Sequence, residues 1–496
     1  MTDLSVRLDG HSGKANGWAG RLLFYVCAVV IAGSLFFGGG TRAGFLSDAI
    51  LQLLSIPLLL VALWRSFEVQ LANHSRWALW FCFALVCVPI LQLVPLPPAL
   101  WAALPNRGLS AEAFAIVGQE LPWMPVSVSP RATWLSALSL VTPLAIFVGT
   151  LLLGYRERRL LSLVILAVGI LSVFVGLIQV AQGPSSPLRF FTFTNSTEAV
   201  GFFANRNHFA ALLYSLTLLA AAWVAESVLA AAPMGARRTH ERASIMALVG
   251  GFTVLVVLIA GQAMARSRAG LGLAIVALFG AIALMVSDRR GKSGITPAKV
   301  LFGAIALAVT FAIQLTMYRI MERFAFDPLE DGRIRFAYRT IEAAKAYMPL
   351  GSGIGTFVPV YATFERPEDT LAGAYVNHAH DDVLELWLEA GVAGASLGGL
   401  FAVWLMLRSV AIWRPKPGCG MLEIDRHLAR AATMVAALLV AHSFVDYPLR
   451  TGALMALMAF SCALLVQQPT GAERKDKAEK DLWYRRSQYA RQSRLT

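Results

Sequence analysis

Two histidines stand one residue apart in "NHAHDDVLELWLEAGVAG", residues 377–394, just ahead of an apolar run with helical spacing. Asp382, with Glu385 three positions on, reads as a box-like helix start in which carboxylates meet the free amides of the first turn. His380 then lies at the helix mouth, beside amides and a dipole that favour anions. An imidazole there accepts a proton from a hydroxyl or orients a diphosphate. The plainer reading makes His378 and His380 exposed loop residues. One His-x-His pair offers too few convergent ligands for a metal. Glu385 and Glu389 fall four apart on the same helix. An acid at bilayer depth costs roughly 2.5–3.5 kcal/mol, so both should face protein or water, either pairing with an arginine or relaying protons.

Four further clusters combine cations with hydrogen-bonding side chains. In "GFFANRNHFA" (201–210), Asn205 and Asn207 can cap a helix while Arg206 adds a fixed charge, or the arginine simply snorkels. "ARSRAG" (265–270) holds Arg266 and Arg268 in a turn too short to let them wander, facing either lipid headgroups or a bound diphosphate. "DGRIRFAYRT" (331–340) carries Arg333, Arg335 and Arg339; as a helix it puts Arg335 and Arg339 on one face, with Asp331 and Glu342 as neutralising neighbours, and it equally suits a solvated surface helix. In "AHSFVDYPLR" (441–450), His442 and Asp446 are spaced to share a helical face, where they can satisfy each other, and Arg450 follows across a short turn.

The elements that must position these groups are membrane helices. Of 496 residues, 57% are hydrophobic and 15% charged, with mean hydropathy +0.61; a soluble chain carries about 25% charge. Runs near the 20 residues needed to cross hydrocarbon occur at about 22–38, 45–64, 76–95, 133–154, 159–181, 207–231, 244–264, 268–287, 299–317, 382–408, 428–446 and 451–468. The expected fold is therefore all-α and polytopic, with about twelve transmembrane helices. The first run has a basic flank like a signal peptide but no clear cleavage site after it, so it reads as a retained helix. Net charge is +13, yet the cations sit in short clusters between apolar runs, which argues for topology and against nucleic acid. Clusters such as "YRERR", "RRTHER" and "DRRGK" alternate with poorer loops and place both termini inside. On the outer side the basic residues are almost all arginine, whose planar fork suits phosphate.

The layout expected is a cytoplasmic segment 1–21, helices 1–9 over 22–317, a long periplasmic loop 318–381 before helix 10, helices 10–12 over 382–468, and a basic cytoplasmic tail 469–496. Loop 96–132, rich in Pro and Trp, suits the headgroup layer. Loop 318–381 should contain a short helix, "RIRFAYRTIEAAKAY", and a glycine turn, "PLGSGIGTF". Cys27, Cys82, Cys87, Cys419 and Cys462 show no disulfide framework.

The pieces "LQLVPLPPALW", "FFANRNHFA", "SRAGLGL", "DGRIRFAYRTIEAAKAYMPLGSGIGTF", "HAHDDVLELWLEAGVAG" and "HSFVDYPLR" occur in that order from about residue 91 to 450. Together they resemble the O-antigen ligase and polysaccharide polymerase superfamily, also called the Wzy C-terminal domain family. The resemblance implies a GT-C-like glycosyltransferase of the bacterial inner membrane, active on its periplasmic face, with undecaprenyl-diphosphate-linked glycan as donor and no metal or other cofactor. It implies that Arg206, Arg268 and Arg333 contact the diphosphate, with Arg266 and Arg335 as neighbours, and that His380 is the essential loop histidine. The family commonly has Asn after that histidine; here Asp381 adds a carboxylate, which leaves His380 as either base or positioning group.

The expected reaction is a single displacement. An acceptor hydroxyl, on another glycan, lipid A core or some other acceptor, attacks the anomeric carbon with inversion as undecaprenyl diphosphate leaves, and arginine charge stabilises the departing group. Ligase, polymerase and protein O-oligosaccharyltransferase differ only in acceptor. A flippase or transporter of lipid-linked glycan is the alternative of another class, but it should place charge in mid-bilayer and show repeated halves, whereas this chain concentrates its charge on one face.

Overall fold

The computed structural model describes residues 5–41, 46–68, 73–192, 194–230, 238–286, 328–370, 375–414 and 422–466. The helices are α1 Ser5–Phe37, α2 Leu46–Glu68, α3 Asn73–Leu93, α4 Pro98–Ala102, α5 Gly108–Ile116, α6 Pro130–Ser139, α7 Val141–Leu152, α8 Tyr155–Gln182, α9 Arg206–Ala230, α10 Arg238–Ala265 and α11 Arg268–Val286. They continue as α12 Pro328–Ala346, α13 Phe357–Phe364, α14 Asp382–Trp413, α15 Glu423–His442 and α16 Gly452–Leu465. Two dipeptide strands, β1 Pro95–Leu96 and β2 Met124–Pro125, pair antiparallel and close the α3–α6 connection.

Among the described residues, eight helices are long and apolar enough to cross a membrane, counting α6 and α7 together; α10 and α16 contribute shorter apolar stretches. Eleven of the twelve apolar runs in the sequence fall on helices, while 299–317 and the tail 469–496 lie outside the described residues. The chain is an all-α integral membrane protein. The run at 133–154 is not one helix: Leu140 separates α6 from α7. Pro143 has no N–H to offer the carbonyl four residues back, so the ladder is interrupted there.

The bundle is organised around α9, whose span Arg206–Ser227 is 94% buried against 17–44% for the others. Its sequence is apolar all round, as expected of a helix surrounded by protein, and α8, α10, α11 and α15 pack on it. Small residues set these distances: a side chain on Gly169 would collide with Leu216, and one on Gly270 with Ala210.

Helix α14 is the main departure from expectation. Instead of running unbroken from 382, it has a non-helical residue at Gly391 (φ 55°, ψ −137°). The turn "PLGSGIGTF" inserts there: Ser352 N–H donates to Leu388 O (3.0 Å), Gly353 N–H to Glu389 O (2.9 Å), and Val392 N–H to Pro349 O (2.9 Å). The carbonyls freed by the break are thus satisfied by loop amides. Gln92 adds a further donor to Glu389 O at 2.8 Å and accepts from Ile354 N–H at 2.9 Å. Any Cβ at Gly391 would lie 2.1 Å from Pro349 O, so only glycine fits.

Candidate functional site

The site forms where the first turn of α9, the last turn of α15, helix α12 and the loop 375–381 meet. At α9, Asn205 Oδ1 accepts the Asn207 N–H (2.8 Å), a side-chain cap of the first turn. Asn207 itself does not cap; its Nδ2 donates to Asp446 Oδ2 at 2.5 Å. Helix α15 stops at His442, and although Asp446 N–H still donates to His442 O (2.9 Å) across the turn that follows, the expected His442–Asp446 side-chain hydrogen bond does not form. His442 Nδ1 meets Tyr214 Oη instead (3.1 Å). The Asp446 side chain turns to His380: its Oδ1 lies 3.2 Å from Nδ1 and also accepts Tyr447 N–H at 3.0 Å.

His380 sits in the left-handed region (φ 53°), uncommon for a residue with a side chain. Its ring stacks on Phe336 of α12 and meets Tyr447 edge-on, with centroids 6.2 and 5.0 Å away. Arg333 on the same face of α12 places Nη2 3.8 Å from Asp446 Oδ2. The carboxylate can only accept, so the His380 Nδ1 proton points at Asp446, and in the neutral ring the lone pair lies on Nε2. Among the described residues Nε2 makes no hydrogen bond. A carboxylate-held imidazole beside a guanidinium is therefore the chemical centre of this end of the bundle.

Residues 227–398 match the O-antigen ligase family. No curated protein matches the chain. The O-antigen ligase match covers Arg266, Arg268, Arg333, Arg335 and His380, and Asp446 and Asn207 bring the flanking chain onto it. The family is one of ligase- and polymerase-type glycan transfer.

The five arginines singled out from sequence are not all gathered at His380. Arg333 is there. Arg206 opens α9, paired with Glu198 at 2.8 Å. Arg268 opens the neighbouring α11, whose first turn Ser267 Oγ caps by accepting Gly270 N–H (3.0 Å). Arg266 is exposed in the turn before it, with φ 49°. Arg335 is exposed and donates to Glu368 O at 3.3 Å. Arg339 is held by Asp369 (2.7 Å) and Glu342 (2.8 Å), and those hydrogen bonds raise its pKa. Among the described residues no three His, Cys, Asp or Glu side chains are grouped to hold a metal.

The helix cap falls one residue earlier than expected, with Leu384 in place of Glu385 at the third helical position. Asp381, extended at φ −156°, is the cap, accepting Val383 N–H (2.9 Å) and Leu384 N–H (3.0 Å). Asp382 is already helical and cannot cap; it accepts instead from Ser443 Oγ (2.8 Å) and Leu449 N–H (3.1 Å). Asn and Asp cap equally well, so an Asn at this position would fill the same role. Asp381→Asn is expected to change stability by no more than a few tenths of a kcal/mol and Asp381→Ala to cost about 1 kcal/mol, both readable by thermal unfolding in detergent.

Behind the centre, Arg450 gathers three carboxylates of α14: Glu389 at 2.7 Å, Glu385 at 3.3 Å and Asp382 at 3.5 Å. Burial works against its charge, and the acids outweigh burial and raise its pKa. The expected pairing of Glu385 and Glu389 with an arginine is thus present, with Asp382 as an unexpected third. Glu385 also grips the loop, its Oε1 2.9 Å from His378 Nδ1 and its Oε2 accepting Ala379 N–H at 3.0 Å. Sequence reasoning missed Tyr447, which touches both loop histidines, and His208, fully buried with its ring edge-on to Tyr447 at 4.8 Å. Both lie inside motifs already quoted, one position from Asp446 and Asn207.

Proposed function

We propose that the chain transfers a glycan from undecaprenyl diphosphate to an acceptor hydroxyl on the periplasmic face of the bacterial inner membrane, as an O-antigen ligase or a polysaccharide polymerase, with inversion and without a metal. The observation that carries this reading is the His380–Asp446 pair beside Arg333. Asp446 fixes the imidazole so that Nε2 accepts the acceptor's proton as the hydroxyl oxygen attacks the anomeric carbon. The bond from that carbon to the diphosphate oxygen breaks, and its electron pair stays on the departing diphosphate. Arg333 supplies charge next to the base, and Arg206 and Arg268, opening adjacent helices, supply it where amides and dipole also favour an anion. The topology read from the basic loops, both termini inside, puts all of these groups on the outer face.

The purified chain in proteoliposomes, given a radiolabelled undecaprenyl-diphosphate-linked glycan, should release undecaprenyl diphosphate and form a glycosylated product. A ladder that lengthens with time marks a polymerase, single addition to lipid A core a ligase, and addition to a protein hydroxyl an O-oligosaccharyltransferase. Movement of intact donor across the bilayer with no bond broken would overturn the reading in favour of a flippase.

A further inference from the structure

His378 was open to reading as an exposed loop residue, yet its side chain is 15% exposed and both ring nitrogens are engaged. Nδ1 lies 2.9 Å from Glu385 Oε1 and Nε2 lies 3.0 Å from the Thr41 carbonyl, in the α1–α2 connection. A carboxylate oxygen and a peptide carbonyl are both acceptors without a proton to give. A neutral imidazole has one N–H, so one of these contacts would set a lone pair against an oxygen. Both contacts are hydrogen bonds only when both nitrogens carry protons.

We propose that His378 is a positioning residue held as an imidazolium, and that its charge fixes the loop that aims His380; as a statement about catalysis this rests on the glycan-transfer reading. Glu385 is the clamp. One of its oxygens holds the imidazolium and the other the Ala379 amide, so a single buried carboxylate fastens the two residues immediately before His380. The opposite edge of the His378 ring is tied to Thr41 in a different part of the chain. Its face lies against Tyr447, with centroids 4.2 Å apart, and Tyr447 meets His380 at 5.0 Å. A shift of the His378 ring therefore reaches His380 along the backbone and through Tyr447.

The charged and titratable groups facing His378 come from every element packed on it. Glu385 of α14 favours its charge, and Arg450, bound to the same carboxylate, opposes it. Asp382 and Glu389 share that guanidinium. Tyr447 covers one face, Phe357 of α13 lies near at 6.5 Å, and the His208 and His380 imidazoles are close by. Burial lowers the His378 pKa, and attraction to Glu385 with its hydrogen bond outweighs burial, so the value is raised. The sign follows: the contribution of a histidine with a raised folded value is full below the ordinary value of about 6.5 and is lost as pH rises through the raised one.

The test pairs a spectroscopic readout with a kinetic one. Solid-state NMR of the full chain in lipid, with ¹⁵N-labelled histidine, should show at neutral pH a ring with both nitrogens protonated, and that signal should be missing from His378→Gln. Transfer by the wild type should fall on the alkaline side; in His378→Gln the rate should drop on the order of 10-fold at neutral pH and the alkaline fall should disappear. A chain with no donor turnover at any pH defeats the glycan-transfer reading, whereas the NMR signal decides the charge of His378 without reference to activity. Absence of a doubly protonated ring in the wild type, or an alkaline limb unchanged by the substitution, would overturn the proposal, and the wild-type spectrum decides it even where the variant fails to fold.

Discussion

Asp446→Asn is expected to lower the rate of glycan transfer about 10²- to 10⁴-fold. The carboxylate accepts from four sides: Asn207 Nδ2, Tyr447 N–H, His380 Nδ1 and the more distant Arg333. An amide keeps one acceptor. If its oxygen stays with Asn207, its NH₂ faces both the Tyr447 N–H and His380 Nδ1, where it meets one donor and forces the other nitrogen to become the acceptor. The imidazole proton then moves to Nε2, and the atom meant to take the acceptor's proton already carries one. His380→Ala should lose a similar amount, and the double variant should be no worse than His380→Ala alone, because the two groups act as a unit. Initial rates from purified proteoliposomes measure this. Losses that multiply in the double variant would mean that Asp446 does not act through His380.

Arg450→Met is expected to cost the fold about 3–5 kcal/mol, because it strands Asp382 and Glu389 and leaves Glu385 only the His378 ring as a partner. These three acids have side chains no more than 10% exposed. The single change therefore leaves like charges facing one another in a site that water barely reaches. The effect should appear as a lowered unfolding midpoint and as poor recovery of folded protein. Arg450→Lys keeps the charge but loses the planar fork that reaches several carboxylates at once, so an intermediate loss is expected. A triple variant with Asp382→Asn, Glu385→Gln and Glu389→Gln added to Arg450→Met should recover part of the stability, and no recovery at all would show that the cost lies elsewhere than in stranded charge.

The helical architecture was legible because lipid enforces it: backbone polar groups that face lipid must be satisfied within their own segment, so apolar length maps directly onto helices such as α9 and α11. The boundaries of α14 were not, because a glycine within an apolar run reads as a tolerated residue and the need for positive φ at Gly391 arises only when the 349–353 turn inserts. Single residues of the site were also legible by type. His380, Asp446, Arg333 and Asn207 each drew attention as chemistry at a helix end. Their partners were not, since Asn207 and Asp446 are 239 positions apart and only folding tells that Asp446 serves His380 and leaves His442 to Tyr214. Asp382 drew the capping role because its spacing to Glu385 fits, yet the extended backbone a cap requires falls one residue earlier, at Asp381. The arginines divide for a related reason: spacing places Arg335 on α12 with Arg333, but two steps along a helix turn it toward Glu368 and away from Asp446.

The interruption at Gly391 separates the first nine residues of α14, which carry Asp382, Glu385 and Glu389, from the long apolar remainder. The short piece takes its registration from the 349–353 turn and from Gln92, while the remainder must match whatever bilayer surrounds it. Thinner or thicker membranes tilt such a span to relieve hydrophobic mismatch, yet Val392 at its start is bonded to the same turn, through Pro349 O, that holds Glu389 O on the other side of the break. A change in bilayer thickness is therefore expected to load this turn before it reaches the imidazole at the head of the helix.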